Sequence, residues 1–271
     1  MLSSPAQHAM SCKNEGGDAS DSSLWGGSSS DGDSGSGSDG DALQPAIQAL
    51  PFNISGLFFF RNLIDQPLQD DIVAEIASQK YFDRERDQVM LFESAVSDTS
   101  NRCLPTWTNS LISKLAALLQ DQVPPSVHEL LFSSQARAGC DVDRQLRQLI
   151  VNMYRPGQGI ADHVDLLTRF GDGVMICSFL SGIAMELKQL SNNQHVSLWL
   201  PAGSVLILTG DARYTWTHGI EARMVDHVQL TSSRSRQTFR IARQHRLSVT
   251  IRWMLKVADV LSDTTQSHLR A

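Results

Sequence analysis

Three residues in this chain have the types and spacing of a metal centre. His163 and Asp165 stand two apart in the run His163-Val164-Asp165. On extended backbone, residues i and i+2 point to the same side, so one imidazole and one carboxylate converge. The pair is a weak signal alone, but it follows a predicted strand and a turn over Pro156, Gly157 and Gly159. His218, in Trp216-Thr217-His218-Gly219, follows another predicted strand and offers a second imidazole. Two histidines and one carboxylate suit iron(II) and leave positions open for oxygen chemistry. Structural zinc would take four ligands, often thiolates, and the pattern holds no fourth. His227 and His245 stand as alternatives to His218. His8, His128, His195 and His268 read as ordinary surface or core histidines.

A second pattern lies near the C-terminus. Arg246, Ser248, Thr250 and Arg252 alternate with Leu247, Val249, Ile251 and Trp253. Period two puts the polar set on one face of a strand and the apolar set on the other. Two guanidinium groups turned into a protein interior would be costly without anionic company. A dicarboxylate answers that need, because guanidinium binds carboxylate bidentately. Asn152 and Tyr154 alternate in the same way on another predicted strand and could add an amide and a phenol to the same ligand.

These residues need elements to hold them. Gly56–Phe60 and Gln88–Phe92 read as strands. Asp65 and Pro67, followed by Leu68, Ile72, Val73 and Ile76, predict a capped amphipathic helix. Trp107, Leu111, Leu115, Leu118 and Leu119, after Pro105, predict a second. Residues 121–146 carry few periodic signals and read as a variable surface region. From residue 147 the period becomes that of strands: Gln148–Tyr154, Val174–Leu180, Ala184–Lys188, Val196–Leu200, Val205–Thr209, His227–Leu230 and Arg246–Trp253, punctuated by turn residues. Many short strands behind N-terminal helices predict an α+β fold with a two-sheet jelly-roll core.

The 271 residues carry a formal charge of −6. Residues 1–45 hold one lysine and seven acids and thus account for all of it, leaving the rest about neutral. That Ser/Gly/Asp-rich stretch cannot bury enough apolar surface to offset its ordering entropy. The expectation is a disordered acidic tail over 1–46, which could bind other proteins, one domain over 47–256 with order beginning near Leu50, and a C-terminal tail over 257–271. The first residues lack the pattern of a signal peptide, and no apolar run reaches the length of a membrane span. Cys12, Cys103, Cys140 and Cys177 are scattered without metal-type pairing, which points to free thiols in a reducing compartment, the cytoplasm or nucleus.

The run Asn152-Met153-Tyr154-Arg155-Pro156-Gly157, then His163-Val164-Asp165, then His218, then Arg246 with Arg252, resembles the AlkB family of dioxygenases over roughly residues 50–256. The resemblance implies a double-stranded β-helix behind helical buttresses, with a nucleotide-recognition lid. It implies iron(II) at His163, Asp165 and His218. It also implies 2-oxoglutarate at Asn152, Tyr154, Arg246 and Arg252, with O2 as co-reactant. Ser248 stands where some members carry an asparagine contact to the cosubstrate. The expected reaction is hydroxylation or oxidative demethylation. DNA-repair members carry a second acid two positions after the iron-binding aspartate; here that position is Leu167. The segments 156–170 and 209–214 look more like the branch that modifies wobble uridine in tRNA.

Between Ala212 and Lys256 nine basic residues stand against two acidic ones. Arg234, Arg236, Arg240 and Arg243 read as an exposed cluster that could track an RNA or DNA backbone. Phe82, Phe92 and Trp107 are candidates to stack on a base, though core packing suits them better. An RNA-directed oxygenase is the leading reading. A protein or small-molecule oxygenase with the same centre, or a non-catalytic binding module of the same fold, are the alternatives.

Overall fold

Alternation along one strand decides which way a whole sheet faces. In the computed structural model, which describes residues 45–48, 50–93, 104–133, 146–232 and 235–255, that strand is the last. The elements in chain order are β1 (Ala46–Ile47), β2 (Leu57–Phe60), α1 (Gln66–Ser78), β3 (Gln88–Phe92), α2 (Thr106–Leu119), α3 (Pro125–Phe132), β4 (Arg147–Tyr154), β5 (Ile160–His163), β6 (Phe170–Phe179), β7 (Ile183–Gln189), β8 (His195–Leu200), β9 (Val205–Leu208), α4 (Gly210–Tyr214), β10 (Trp216–Ile220), β11 (Val225–Ser232), β12 (Ser235–Ala242) and β13 (Arg246–Met254).

Strand β13 runs antiparallel between β4 and β6 in a six-stranded sheet of order β2-β9-β6-β13-β4-β3. Its Leu247, Val249 and Ile251 join the core formed with Ile72 and Ile76 of α1 and Leu111, Leu115 and Leu119 of α2. Burying each such side chain is worth about 1.5–3 kcal/mol. A one-residue slip would send the arginines into that core, so the register is strongly fixed. Asp65 caps α1 by accepting from the Leu68 amide at 3.1 Å, with proline in the first turn.

A seven-stranded sheet of order β12-β11-β1-β8-β7-β10-β5 faces the other side of this one. Ile176 and Leu206 from the first sheet meet Met185, Leu187, Leu198 and Ile220 from the second in one apolar cluster. The architecture is the expected α+β jelly roll with helices buttressing one sheet.

Several expectations need correction. Residues 121–146 include α3, whose Leu131 is buried in the helix-side core. Its eight residues are too few for a clear helical period. Regular structure begins before Leu50: Ala46 and Ile47 form β1, inserted parallel between β8 and β11, and Ala46 is fully buried. The expected domain boundary at 46/47 therefore falls inside an element. Strands β5, β10 and β12 and the short α4 were not among the predicted elements. Residues 1–44 and 256–271, with the tails expected there, lie outside the described residues, as do Cys12, Cys103 and Cys140. Cys177 is a free, buried thiol pushed up to about 12 by burial. Among the described residues no helix is long and apolar enough to cross a membrane.

Candidate active site

Strands β5 and β10 pair antiparallel with His163 directly opposite His218, and the two rings lie 4.4 Å apart. The pairing depends on Gly159. A Cβ there would overlap the carbonyl oxygen of Ile220, a backbone atom with little room to yield. Gly159→Ala is expected to force the two strands apart and to cost about 2–3 kcal/mol in urea unfolding.

Just beyond β5, Asp165 is buried and its main chain is fixed by Arg213. That side chain donates to the carbonyls of Asp165 at 3.0 Å, Phe170 at 3.3 Å and Gly171 at 3.3 Å. Asp165 Oδ1 accepts from Arg252 Nη1. Its Oδ2 is buried without a hydrogen-bond partner, 3.9 Å from His218 Nε2. Burial opposes the Asp165 carboxylate. The Arg252 guanidinium, helped by His218 and Arg213, outweighs it and holds the group below the usual range. Burial pushes His218 down to about 4 despite the attraction of Asp165, so its imidazole is neutral at pH 7. His163 Nδ1 lies 2.8 Å from the Ala161 carbonyl oxygen. That contact assigns the proton to Nδ1 and leaves the Nε2 lone pair free.

Among the described residues no three His, Cys, Asp or Glu side chains close about one point, since Asp165 leans on Arg252. The donor set nonetheless suits a divalent metal. It comprises a neutral imidazole, a second imidazole with a free lone pair, and an orphaned carboxylate oxygen beside them.

All eight site residues drawn from the sequence line one cavity of about 230 Å³: Asn152, Tyr154, His163, Asp165, His218, Arg246, Ser248 and Arg252. Thr250 lines it too, as the alternation of β13 requires. Arg246 is 1% exposed and donates to Ser178 Oγ at 2.9 Å, while its Nε has no partner. Burial lowers its pKa to about 10, so it stays cationic at neutral pH. Arg252 also donates to Gln148 Oε1 at 2.8 Å and lies 3.4 Å from the Phe170 ring centroid. Burial lowers its pKa, against the pull of Asp165. His227 and His245 do not line this cavity.

The expected exposed cluster of Arg234, Arg236, Arg240 and Arg243 is corrected at Arg243. Arg243 is buried, with two nitrogens on Asp226 at 2.8 and 2.9 Å and a third on the Glu221 carbonyl at 2.6 Å. Arg223 also serves Asp226, at 2.7 Å. Arg213, Arg246 and Arg252 point inward. The positive count over 212–256 is thus mostly spent on internal partners. Arg240 is exposed on β12, Arg234 lies outside the described residues, and Arg236 pairs with Thr231 in the β11–β12 register.

Of the aromatic candidates, Trp107 is buried and Phe82 packs on the helix-side core. Phe92 departs from the favoured reading. It is 42% exposed and follows Gln88 and Met90, which line the cavity, at period two along β3. Sequence reasoning missed Arg213, Gln88 and Gln148. Each is a lone polar residue whose partner is distant in sequence, so no spacing marks it.

A model of the 2OG-Fe(II) oxygenase superfamily matches residues 56–252. The tRNA (carboxymethyluridine(34)-5-O)-methyltransferase alkbh8 of Xenopus tropicalis is 41% identical over 88 residues, 32% of this chain and 14% of that protein. The alkylated DNA repair protein ALKBH8 homolog of Arabidopsis thaliana is 23% identical over 223 residues, 71% of this chain and 60% of that protein. This chain thus spans a small part of the first relative and under two thirds of the second. The solved structure of OsALKBH1 covers 74% of this chain and 99% of its own at 15% identity, with a TM-score of 0.42. The chain belongs to the 2OG-Fe(II) oxygenase superfamily and is an AlkB-like, 2-oxoglutarate-dependent iron oxygenase.

Proposed function

We propose that this protein hydroxylates or oxidatively demethylates an RNA base, with iron held by His163, Asp165 and His218. In this reading Asn152, Tyr154, Arg246, Ser248 and Arg252 hold 2-oxoglutarate. The observation that carries it is the shared cavity: two buried guanidinium groups and a His/Asp/His set face one space. Iron and 2-oxoglutarate, with O2, supply oxidation of a substrate C–H bond coupled to release of succinate and CO2. If that carbon is an N-methyl group, formaldehyde leaves and the nitrogen is demethylated.

The chain's own residues bind and orient. Neutral His218 and the Nε2 lone pair of His163 present nitrogen donors, and Asp165 a carboxylate oxygen. Arg246, with an unspent Nε–H, offers charge-assisted hydrogen bonds to a carboxylate. Ile150, Ile176, Met185 and Ile220 keep the cavity wall dry. A space of about 230 Å³ is below the usual size of a small-molecule site. It suits a small cosubstrate plus only the reacting end of a larger substrate.

Charge narrows the substrate further. Among the described residues Asp165 is the only carboxylate on the cavity wall, and Arg252 already holds it. Leu166 and Leu167 follow it as exposed apolar residues. A cationic alkylated base would find no free anion there, so an uncharged base fits better. The similarity to the Xenopus tRNA methyltransferase supports RNA over DNA.

The test is succinate formation from 2-oxoglutarate with iron(II) in air, with and without RNA. RNA is expected to raise it, and protein that never releases succinate would refute the enzymatic reading. Arg240→Glu is expected to weaken RNA binding evenly across sequences and to reduce the salt slope by about one. Succinate release that ignores RNA but rises with a protein extract would move the substrate to the protein class.

A further inference from the structure

We infer that Gln88 is a positioning residue that aims the amide hydrogens of Asn152 into the cavity. The inference rests on the proposed 2-oxoglutarate site. Gln88 stands directly opposite Asn152 in the β3–β4 register, and both side chains line the cavity. Gln88 Nε2 donates to Asn152 Oδ1 at 2.8 Å. Tyr154, two residues further along β4, lines the same cavity, and burial raises the pKa of its phenol against the pull of Arg246.

The direction of this bond is what matters. An amide has an acceptor end and a donor end. With its oxygen committed to Gln88, Asn152 must turn its NH2 group the other way. Those hydrogens are turned to the cavity that Asn152 lines, where Arg246 also points. Such a donor suits an anion and opposes a cation. Its polarity is set at Gln88, on an edge strand outside the motif residues.

Glutamate at position 88 would reverse the amide. A carboxylate only accepts, so Asn152 would turn its NH2 toward position 88 and its oxygen toward the ligand. Methionine would remove the constraint without reversing it.

The experiment measures the Kd of 2-oxoglutarate for the Mn(II)-loaded full chain without oxygen, and KM and kcat with iron. Gln88→Glu is expected to raise Kd and the KM for 2-oxoglutarate by about tenfold or more, and Gln88→Met by about threefold. The Kd for Mn(II), and kcat at saturating 2-oxoglutarate, are expected to change less than twofold. Equal Kd values in the wild type and Gln88→Glu would overturn the inference alone. So would a larger loss in Gln88→Met than in Gln88→Glu, because packing rather than polarity would then be at work. A wild type that binds no 2-oxoglutarate would sink the proposed site and the inference with it.

Discussion

Replacing Arg246 by methionine is expected to abolish 2-oxoglutarate binding while leaving the ligand-free protein as stable as before, or more so. Arg246 is among the largest fully buried side chains. Its contacts are one hydroxyl, Ser178 Oγ at 2.9 Å, and the Tyr154 ring at 5.4 Å. Among the described residues no carboxylate pairs with it, and burial pushes its pKa down to about 10. A charge held this way weakens the ligand-free fold, and exchanging it for an apolar side chain of similar length is often neutral or stabilising. In the liganded protein the sign reverses. Charge-assisted hydrogen bonds are each worth about 1.5–3 kcal/mol, so losing two costs at least about a hundredfold in affinity. Calorimetry with Mn(II) and thermal melts separate these effects. In the wild type, 2-oxoglutarate at about 100 times its Kd is expected to add roughly 2.7 kcal/mol of stability. That gain should vanish in Arg246→Met. A variant that binds within threefold of the wild type would show that Arg246 is not the ligand's anchor.

Sequence reasoning found Arg246 because β13 has two differently buried faces, and period two records that difference directly. The same logic exposed Asn152, Tyr154, His163 and Asp165, which are all i, i+2 pairs. It failed wherever a residue's role is set by a partner far along the chain. Arg243 was grouped with Arg234, Arg236 and Arg240 by charge, yet its partner is Asp226, buried beneath it. Arg213 looked like one more cation and instead holds three main-chain carbonyls. Charge counts report supply and say nothing of internal demand. Strands β5 and β10 were missed for a related reason. Each is short, and each is stabilised by its cross-strand neighbour rather than by its own pattern. Strand β1 is the extreme case: two residues are strand only because β8 and β11 flank them.

Asp165 has two roles that a double mutant can pull apart. It offers a carboxylate oxygen to the proposed metal centre, and it neutralises Arg252. Asp165→Ala is therefore expected to lose all measurable succinate release and also to unfold more readily, by about 3–5 kcal/mol, because Arg252 is left charged and buried without its partner. Gln148 and the Phe170 ring still contact the guanidinium, but neither carries a charge. Adding Arg252→Met to Asp165→Ala removes the stranded cation. The pair should recover most of the lost stability in urea titrations and none of the activity. Arg252→Met alone should fall between, since it leaves a buried carboxylate that protonates more readily than an arginine gives up its proton. If the double mutant proves less stable than Asp165→Ala, the Arg252–Asp165 contact is not what the fold depends on. The destabilisation would then trace to the cavity left at residue 165 beneath the loop that Arg213 holds.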